Sequence, residues 1–160
     1  MTMRIAIDFD GTIVDDSHRY DDLVTPLTFK DGAKDALYAL KRARHSLLLW
    51  SGRASRSNLY DPRLDPLVRA GVSLRTEKSW AESLALNLAR YQQMMQFVET
   101  EIPDVFDAVD DGLGGKPSVD LFIDDKAMRL GRGDLGGVDW HQIANEYGDA
   151  GGPSPFVSGR

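Results

Sequence analysis

An apolar run that stops at two aspartates constrains the fold more than any other feature of this chain. Residues 4–9 read RIAIDF, and this almost continuous apolar character is typical of a strand covered on both faces. Asp10 and Gly11, which follow, are poor strand formers. The sequence therefore predicts a central strand over Arg4–Phe9 that ends at an acidic turn.

A helix and a second strand are predicted after this segment. Apolar residues recur at steps of three and four, as on the buried side of a helix; they are Ala33, Ala36, Leu37, Leu40 and Ala43. Asp31 is expected to cap the start of this helix. A second apolar strand follows over Ser46–Trp50 and ends in a Ser-Gly turn. The order strand, helix, strand favours a right-handed crossover and a parallel sheet.

The middle of the chain predicts two more helices. A short one runs from Asp65 to Gly71. A longer one ends before Pro103, and its apolar side is expected to contain Leu84, Leu88, Tyr91, Met95 and Val98.

The last third of the chain returns to strands with acidic ends. Residues 105–111 (VFDAVDD) predict a short strand, residues 118–125 (SVDLFIDD) predict a clearer one, and a final helix ends at Gly148. We therefore predict one α/β, Rossmann-like three-layer domain over residues 1–148, with a central, mostly parallel sheet. Residues 149–160 are rich in Gly, Pro and Ser and predict a flexible tail.

The composition excludes several classes of protein. The chain has no cysteine, which excludes disulfides and thiolate metal sites. Its formal net charge of −6 disfavours a broad nucleic-acid surface, although a phosphorylated nucleic-acid end fits a local basic pocket. No secretion signal and no apolar run of membrane-spanning length is evident. We therefore expect a soluble, cytoplasmic protein without a membrane partner.

Polar clusters follow three of the predicted strands. They are Asp8 with Asp10, then Ser51 with Gly52 and Arg53, and finally Asp124 with Asp125. Because the carboxyl ends of parallel strands meet at one edge of a sheet, we expect these side chains to lie together. Converging carboxylates repel one another, and a divalent cation relieves that repulsion. Mg²⁺ prefers oxygen ligands and commonly binds carboxylates together with a substrate phosphate, so the pattern favours Mg²⁺.

The same residues suit phosphoryl transfer. Asp8 can attack phosphorus to form an aspartyl-phosphate, and Asp10 can donate a proton to the leaving oxygen and then activate water. Ser51 and Lys116 can bind the phosphoryl oxygens as charge spreads over them. Gly52 and Arg53 directly follow Ser51 and are candidate substrate contacts.

These motifs resemble those of the haloacid dehalogenase-like (HAD) superfamily. DFDGT is similar to its first motif, Ser51 in LLLWSGR to its second, Lys116 to its third and FIDD to its fourth; they follow the family's order across about three-quarters of the chain. The resemblance implies that Asp8 is the nucleophile and Asp10 the acid/base. It also implies Mg²⁺ bound by Asp8, the backbone carbonyl of Asp10 and Asp124, with Asp125 supporting or replacing Asp124. Phosphatases and phosphomutases of the family keep the second aspartate, whereas its dehalogenases lack it.

Two features depart from the common pattern of the family. Lys116 lies only eight residues before Asp124, and Lys126 is the alternative cation. The stretch GKPSVDLFIDDKA is nevertheless similar to GKP…IDDKA patterns in small phosphatases of the family. The chain also has no room for a large cap between the first and second motifs. We expect a capless or minimally capped enzyme with an open site and a small lid over residues 54–66.

The sequence thus predicts a Mg²⁺-dependent phosphatase. Its substrate would be a phosphomonoester such as a sugar phosphate, a nucleotide or a larger phosphorylated molecule. A phosphomutase or phosphotransferase would use the same residues. A phosphate-binding or regulatory protein is an alternative from a different class, although binding alone does not need the second aspartate. The spacing of Asp8 and Asp10 disfavours a receiver domain.

Overall fold

The computed structural model describes residues 1–54, 80–112, 116–125 and 138–149. Its strands are β1 (Arg4–Ile7), β2 (Ser46–Leu49), β3 (Ala108–Val109) and β4 (Leu121–Ile123). Its helices are α1 (Ala33–Arg42), α2 (Trp80–Glu101) and α3 (Trp140–Tyr147), and a 3₁₀ turn lies at Gly52–Ala54. These elements follow the order that the sequence predicts for the described segments.

The described strands form one parallel sheet in the order β3-β2-β1-β4. Ile5 of β1 pairs with Leu47 of β2 on one side and with Leu121 of β4 on the other. β1 therefore lies inside the sheet, as its apolar run predicts. The predicted α/β class with a central parallel sheet is confirmed, and the described residues contain no large cap.

One face of this sheet carries the hydrophobic core. Alternate residues of β1, β2 and β4 point to this face and are fully buried, namely Ile5, Ile7, Leu47, Leu49 and Ile123. They belong to one cluster with apolar side chains of the helices, among them Leu37 of α1, Met94 of α2 and Trp140 of α3. Burial of these apolar side chains fixes the helices on the sheet and so positions the strand ends.

Two details of the helices differ from prediction. α1 begins after Gly32, which has a φ of 72°, and no side chain caps it. Asp31, the predicted cap, instead lies 2.9 Å from Nε2 of His141 on α3. Leu88, predicted on the buried side of α2, is 42% exposed. The core does not reach it, because the buried residues among the described side chains of α2, Met94 and Val98, lie in the second half of the helix.

Several predicted features lie outside the described residues. They are the helix from Asp65 to Gly71, the side chain of Leu84, the lid beyond Ala54, Lys126, and the tail beyond Asp149. Within the described residues, no helix is long and apolar enough to cross a membrane.

A buried histidine joins the amino-terminal strand to the last helix. His45 Nδ1 accepts a hydrogen bond from the backbone N–H of Met3 at 3.0 Å. Its Nε2 therefore carries the proton and donates to the carbonyl of Tyr147 at 2.7 Å. The His45 residue is only 6% exposed, and its ring supplies a hydrogen-bond partner to each of these backbone groups.

The substitution His45→Ala is expected to lower the free energy of unfolding by about 2 kcal/mol, because it leaves a backbone donor and an acceptor without partners and opens a void. Urea denaturation followed by circular dichroism measures this loss. His141→Ala removes an exposed ring and is the matched control, with an expected change below about 0.5 kcal/mol. Equal losses in the two variants would contradict the assigned role of His45.

Candidate functional site

Three aspartates meet where β1 and β4 end. Asp8 directly follows β1, Asp124 and Asp125 directly follow β4, and the two strands are neighbours in the sheet. Each residue offers one carboxylate oxygen, and these oxygens lie within 4.8 Å of one another. We call Asp8, Asp124 and Asp125 the aspartate cluster. The sequence prediction that carboxylates from the first and last strands converge agrees with this arrangement.

The surroundings of Asp8 make its negative charge costly in the absence of a cation. Burial raises the pKa of Asp8 to about 7, although a backbone hydrogen bond from Phe9 acts in the opposite direction. The charges of Asp124, Asp10 and Asp125 contribute smaller shares of the same rise in pKa. A half-buried set of carboxylate oxygens is the donor set that hard divalent cations prefer. The aspartate cluster can therefore hold a metal ion.

Thr12 connects the first loop to the aspartate cluster. Its hydroxyl oxygen accepts a hydrogen bond from the backbone N–H of Asp125 at 3.1 Å. Its carbonyl accepts one from Nε1 of Trp140 at 2.7 Å. Thr12 is fully buried, and its bond with Trp140 is shielded from water. The position of Asp125 relative to Asp8 is thus set by this threonine as well as by the sheet.

Gly11 lets the first loop pass close to the carboxylates. Its φ of 74° is in the left-handed region that favours glycine. A Cβ atom at this position would lie 2.8 Å from one oxygen of Asp125 and 2.8 Å from one oxygen of Asp16. The backbone conformation therefore favours glycine, and a side chain here would displace the carboxylates of Asp16 and Asp125.

The substitution Gly11→Ala is expected to lower the free energy of unfolding by about 1–2 kcal/mol through its backbone alone, and to weaken divalent-cation binding because the methyl group displaces Asp125. Thermal denaturation and calorimetric titration with Mg²⁺ measure the two effects. Gly52→Ala is the matched control, since its Cβ would meet no atom within 4 Å. Cation binding that is unchanged in Gly11→Ala would be evidence against the assigned geometry.

Asp10 is not among the clustered ligands and forms an ion pair with Arg53. Nε and Nη2 of Arg53 donate to the two carboxylate oxygens of Asp10 at 2.8 and 2.7 Å. The side chain of Arg53 is 4% exposed and that of Asp10 is 31% exposed. This two-point contact fixes the plane of the Asp10 carboxylate beside Asp8.

Arg53 is itself anchored on α2. Its Nη1 donates to the carbonyl of Arg90 at 2.8 Å and to Oε1 of Gln93 at 2.9 Å. Its guanidinium carbon also lies 5.1 Å from the centroid of the Phe9 ring. The substrate contact predicted for Arg53 stays a prediction. In the structure, Arg53 holds the carboxylate of Asp10 in position.

Arg90 and Tyr20 border Asp10, and sequence reasoning did not single out either. Nη2 of Arg90 lies 3.7 Å from Asp10, and Nη1 donates to the carbonyl of Tyr20 at 2.7 Å. The guanidinium lies 3.8 Å from the centroid of the Tyr20 ring. No local motif marks these residues, because their contact depends on how α2 packs against the loop after β1.

Ser51 and Gly52 occupy the turn after β2. The hydroxyl of Ser51 accepts a hydrogen bond from the backbone N–H of Arg53 at 3.2 Å, and its carbonyl accepts one from Ala54 at 3.0 Å. Ser51 is buried, whereas Gly52 is exposed at the start of the 3₁₀ turn. Ser51 therefore positions Arg53, and phosphate binding by Ser51 and Gly52 stays a prediction.

Lys116 lies on the sheet face that carries Asp8 and Asp124. Its Nζ is 4.5 Å from the centroid of the Phe122 ring. Phe122 pairs with Ala6 of β1, and residues two positions apart along a strand share a face. Asp8 lies two residues after Ala6, and Asp124 lies two residues after Phe122, so both are on the face that carries Phe122. The predicted catalytic role of Lys116 is compatible with this placement and stays a prediction.

Comparison with known proteins assigns neither a family nor a function to the chain. No family model, no curated protein and no solved structure matches the chain. The basis for a function is therefore the site itself, with an aspartate cluster at adjacent strand ends and a separate Asp10–Arg53 ion pair beside it.

Proposed function

We propose that this protein is a Mg²⁺-dependent phosphohydrolase that releases phosphate from a phosphomonoester through an aspartyl-phosphate on Asp8. The observation that carries the proposal is the aspartate cluster, in which Asp8 shares one site with Asp124 and Asp125. The neighbouring Asp10 supports catalysis rather than binding alone, because a metal-bound phosphate needs no second carboxylate held apart from the cluster. HAD-like motifs in the sequence support the same reaction.

The proposed metal is Mg²⁺, held by carboxylates of the aspartate cluster. Oxygen-only ligands and a partner phosphate suit Mg²⁺ better than softer ions. When bound, the ion neutralises charge on the phosphoryl oxygens and on the carboxylates as the anionic substrate approaches. A cation also compensates the like-charge repulsion that raises the pKa of Asp8 in its absence.

The chain's own residues divide the reaction into two steps. A carboxylate oxygen of Asp8 attacks phosphorus, the bond from phosphorus to the leaving oxygen breaks, and Asp10 gives that oxygen a proton. Asp10, now ionised, removes a proton from water, and the resulting nucleophile attacks the phosphorus on Asp8. The bond between phosphorus and Asp8 breaks, and inorganic phosphate leaves. In the second step Arg53 holds the ionised Asp10 through both carboxylate oxygens, as in the structure; in the first step the proton occupies one of these oxygens, and Arg53 holds Asp10 through the other.

Hydrolysis of p-nitrophenyl phosphate by the purified full chain tests the proposal. We expect phosphate release in Mg²⁺ and none in excess EDTA, with the same folded signal by circular dichroism in both. Calorimetric titration with Mg²⁺ in the absence of substrate provides an independent readout of the cluster. A folded protein that binds Mg²⁺ but releases no phosphate from this ester or from alkyl phosphates would overturn the hydrolase proposal.

A further inference from the structure

Asp10 lines a pocket that Asp8, Asp124 and Asp125 do not line. The pocket has a volume of about 210 Å³ and lies between the loop after β1 and α2. Asp10, Arg53, Tyr20 and Arg90 are among its lining residues. We call this space the Tyr20 pocket. Asp10, the acid proposed to protonate the leaving oxygen, thus also lines the pocket.

The size of the Tyr20 pocket limits what it can enclose. Sites for drug-sized ligands commonly measure about 300–1,000 Å³, and this pocket is smaller. A three- to six-carbon group of about that scale fits better than a nucleoside, whose base and ribose together are the size of a small drug.

The charges around the pocket disfavour a second anion. Asp15, Asp16 and Asp22 contribute carboxylates to its lining. Asp22 stays ionised, because hydrogen bonds from the side chain and backbone of Thr25 lower its pKa to about 2. Among the three arginines of the lining, Arg19 is paired with Asp21, which leaves Arg53 and Arg90 against the carboxylates of Asp15, Asp16 and Asp22 even when Asp10 carries a proton. An anionic leaving group would therefore meet more negative than positive charge.

The polar groups that remain suit hydroxyls. Carboxylate oxygens at the wall accept hydrogen bonds, and the guanidinium of Arg90 donates them. The hydroxyl of Tyr20 bonds to Asn87, and Arg90 donates to the carbonyl of Tyr20. These contacts fasten the loop to α2, so the pocket is formed before a ligand arrives, which reduces the entropy cost of binding.

We propose that the Tyr20 pocket binds the leaving group of the substrate, and that this group is small, uncharged and rich in hydroxyls. This inference rests on the proposed phosphohydrolase function. The substrate class is then a phosphomonoester of a short polyol or simple sugar. Nucleoside monophosphates and esters with a second acidic group are disfavoured.

A pair of three-carbon substrates tests the charge requirement. Glycerol 1-phosphate and 3-phosphoglycerate have similar skeletons, but the second carries a carboxylate in place of a hydroxymethyl group. We expect kcat/KM to be at least about tenfold higher for glycerol 1-phosphate, through repulsion of the carboxylate. Adenosine 5′-monophosphate tests size and is expected to be at least about tenfold poorer than glycerol 1-phosphate. The leaving groups of glycerol 1-phosphate and 3-phosphoglycerate are both alkoxides that need a proton. The ratio of kcat/KM between these two esters therefore does not report on proton donation by Asp10.

Two variants should change the ratio of kcat/KM for glycerol 1-phosphate to kcat/KM for 3-phosphoglycerate in opposite directions. Asp16→Asn removes a negative charge from the lining and should narrow the preference for glycerol 1-phosphate, whereas Arg90→Gln removes a positive charge and should widen it. Lys34→Gln, on the exposed side of α1, is the control and should leave the ratio unchanged. A wild type that prefers 3-phosphoglycerate, or a ratio that neither variant moves, would overturn the assignment of the pocket.

Failure of the proposed phosphohydrolase function gives a different experimental result from failure of the pocket assignment. In that case no ester, including p-nitrophenyl phosphate, is hydrolysed. Binding to Asp8→Asn, which lacks the nucleophile, is then measured by calorimetry with glycerol 1-phosphate and 3-phosphoglycerate in Mg²⁺. Tighter binding of glycerol 1-phosphate than of 3-phosphoglycerate, with a difference that Asp16→Asn narrows, supports the pocket independently of turnover, and equal binding of the two esters rejects it.

Discussion

Replacing Asp8 with Asn is expected to reduce hydrolysis of p-nitrophenyl phosphate by at least about 1,000-fold, because the amide cannot form the aspartyl-phosphate. The fold should persist, since Asn has nearly the same shape and removes one of the mutually repelling carboxylates at this site. Steady-state kinetics in saturating Mg²⁺ measures the loss, and thermal denaturation without metal checks the fold.

Asp35→Asn is the matched control for this variant. Asp35 lies in the first turn of α1 and is exposed, so the same chemical change there should leave turnover within about twofold of wild type. Mass spectrometry of the intact chain, quenched in acid during turnover, should detect an added phosphoryl group on wild type and none on Asp8→Asn. Turnover by Asp8→Asn above one-tenth of wild type would show that another residue is the nucleophile.

Arg53→Ala is expected to cost about 3 kcal/mol of folding free energy, the largest stability effect among the variants considered. The substitution empties a buried volume, removes the bidentate partner of Asp10, and removes the donor that Arg53 supplies to the carbonyl of Arg90 and to Oε1 of Gln93. Urea denaturation at pH 7 measures the change. Activity should fall as well, because Asp10 is then free to rotate away from the leaving oxygen.

Arg53→Lys separates charge from geometry. A lysine keeps the positive charge but cannot present parallel donors to a carboxylate, so we expect an intermediate loss of stability. Lys34→Ala breaks an exposed contact with Glu101 at 3.9 Å and should cost about 0.5 kcal/mol or less. A loss in Arg53→Ala no greater than in Lys34→Ala would refute the view that this ion pair supports the fold.

The sheet could be predicted from the sequence because its signal is local. Apolar runs around Ile5, Leu47 and Ile123 identify buried strands, and the acidic or polar residue after each run marks its carboxyl end. Parallel pairing then brings those ends to one edge, which is why Asp8 and Asp124 could be expected together. The start of α1 was predicted less well, because Asp31 had a competing partner, His141, that is distant in sequence.

The surroundings of Asp10 could not be predicted in this way. The role of Arg53 depends on α2, which presents the carbonyl of Arg90 and the side chain of Gln93 from 37 and 40 positions away. Such a contact is set by the rotation of a helix about its axis when it packs on the core. Hydrophobic periodicity identifies the buried side of that helix but does not specify which polar residue at its margin will meet a given loop.

The hydrogen bonds of Thr12 join segments that are synthesised at different times during translation. Thr12 and its partner Trp140 are 128 positions apart, so the threonine leaves the ribosome long before the helix that completes its contacts. The nucleophile proposed at Asp8 is therefore synthesised early and stays without its companion carboxylates until translation has passed Asp125. A nascent chain or a truncation product that ends before Asp124 therefore carries Asp8 without the aspartate cluster, and the proposed reactivity toward phosphate esters requires synthesis past Asp125.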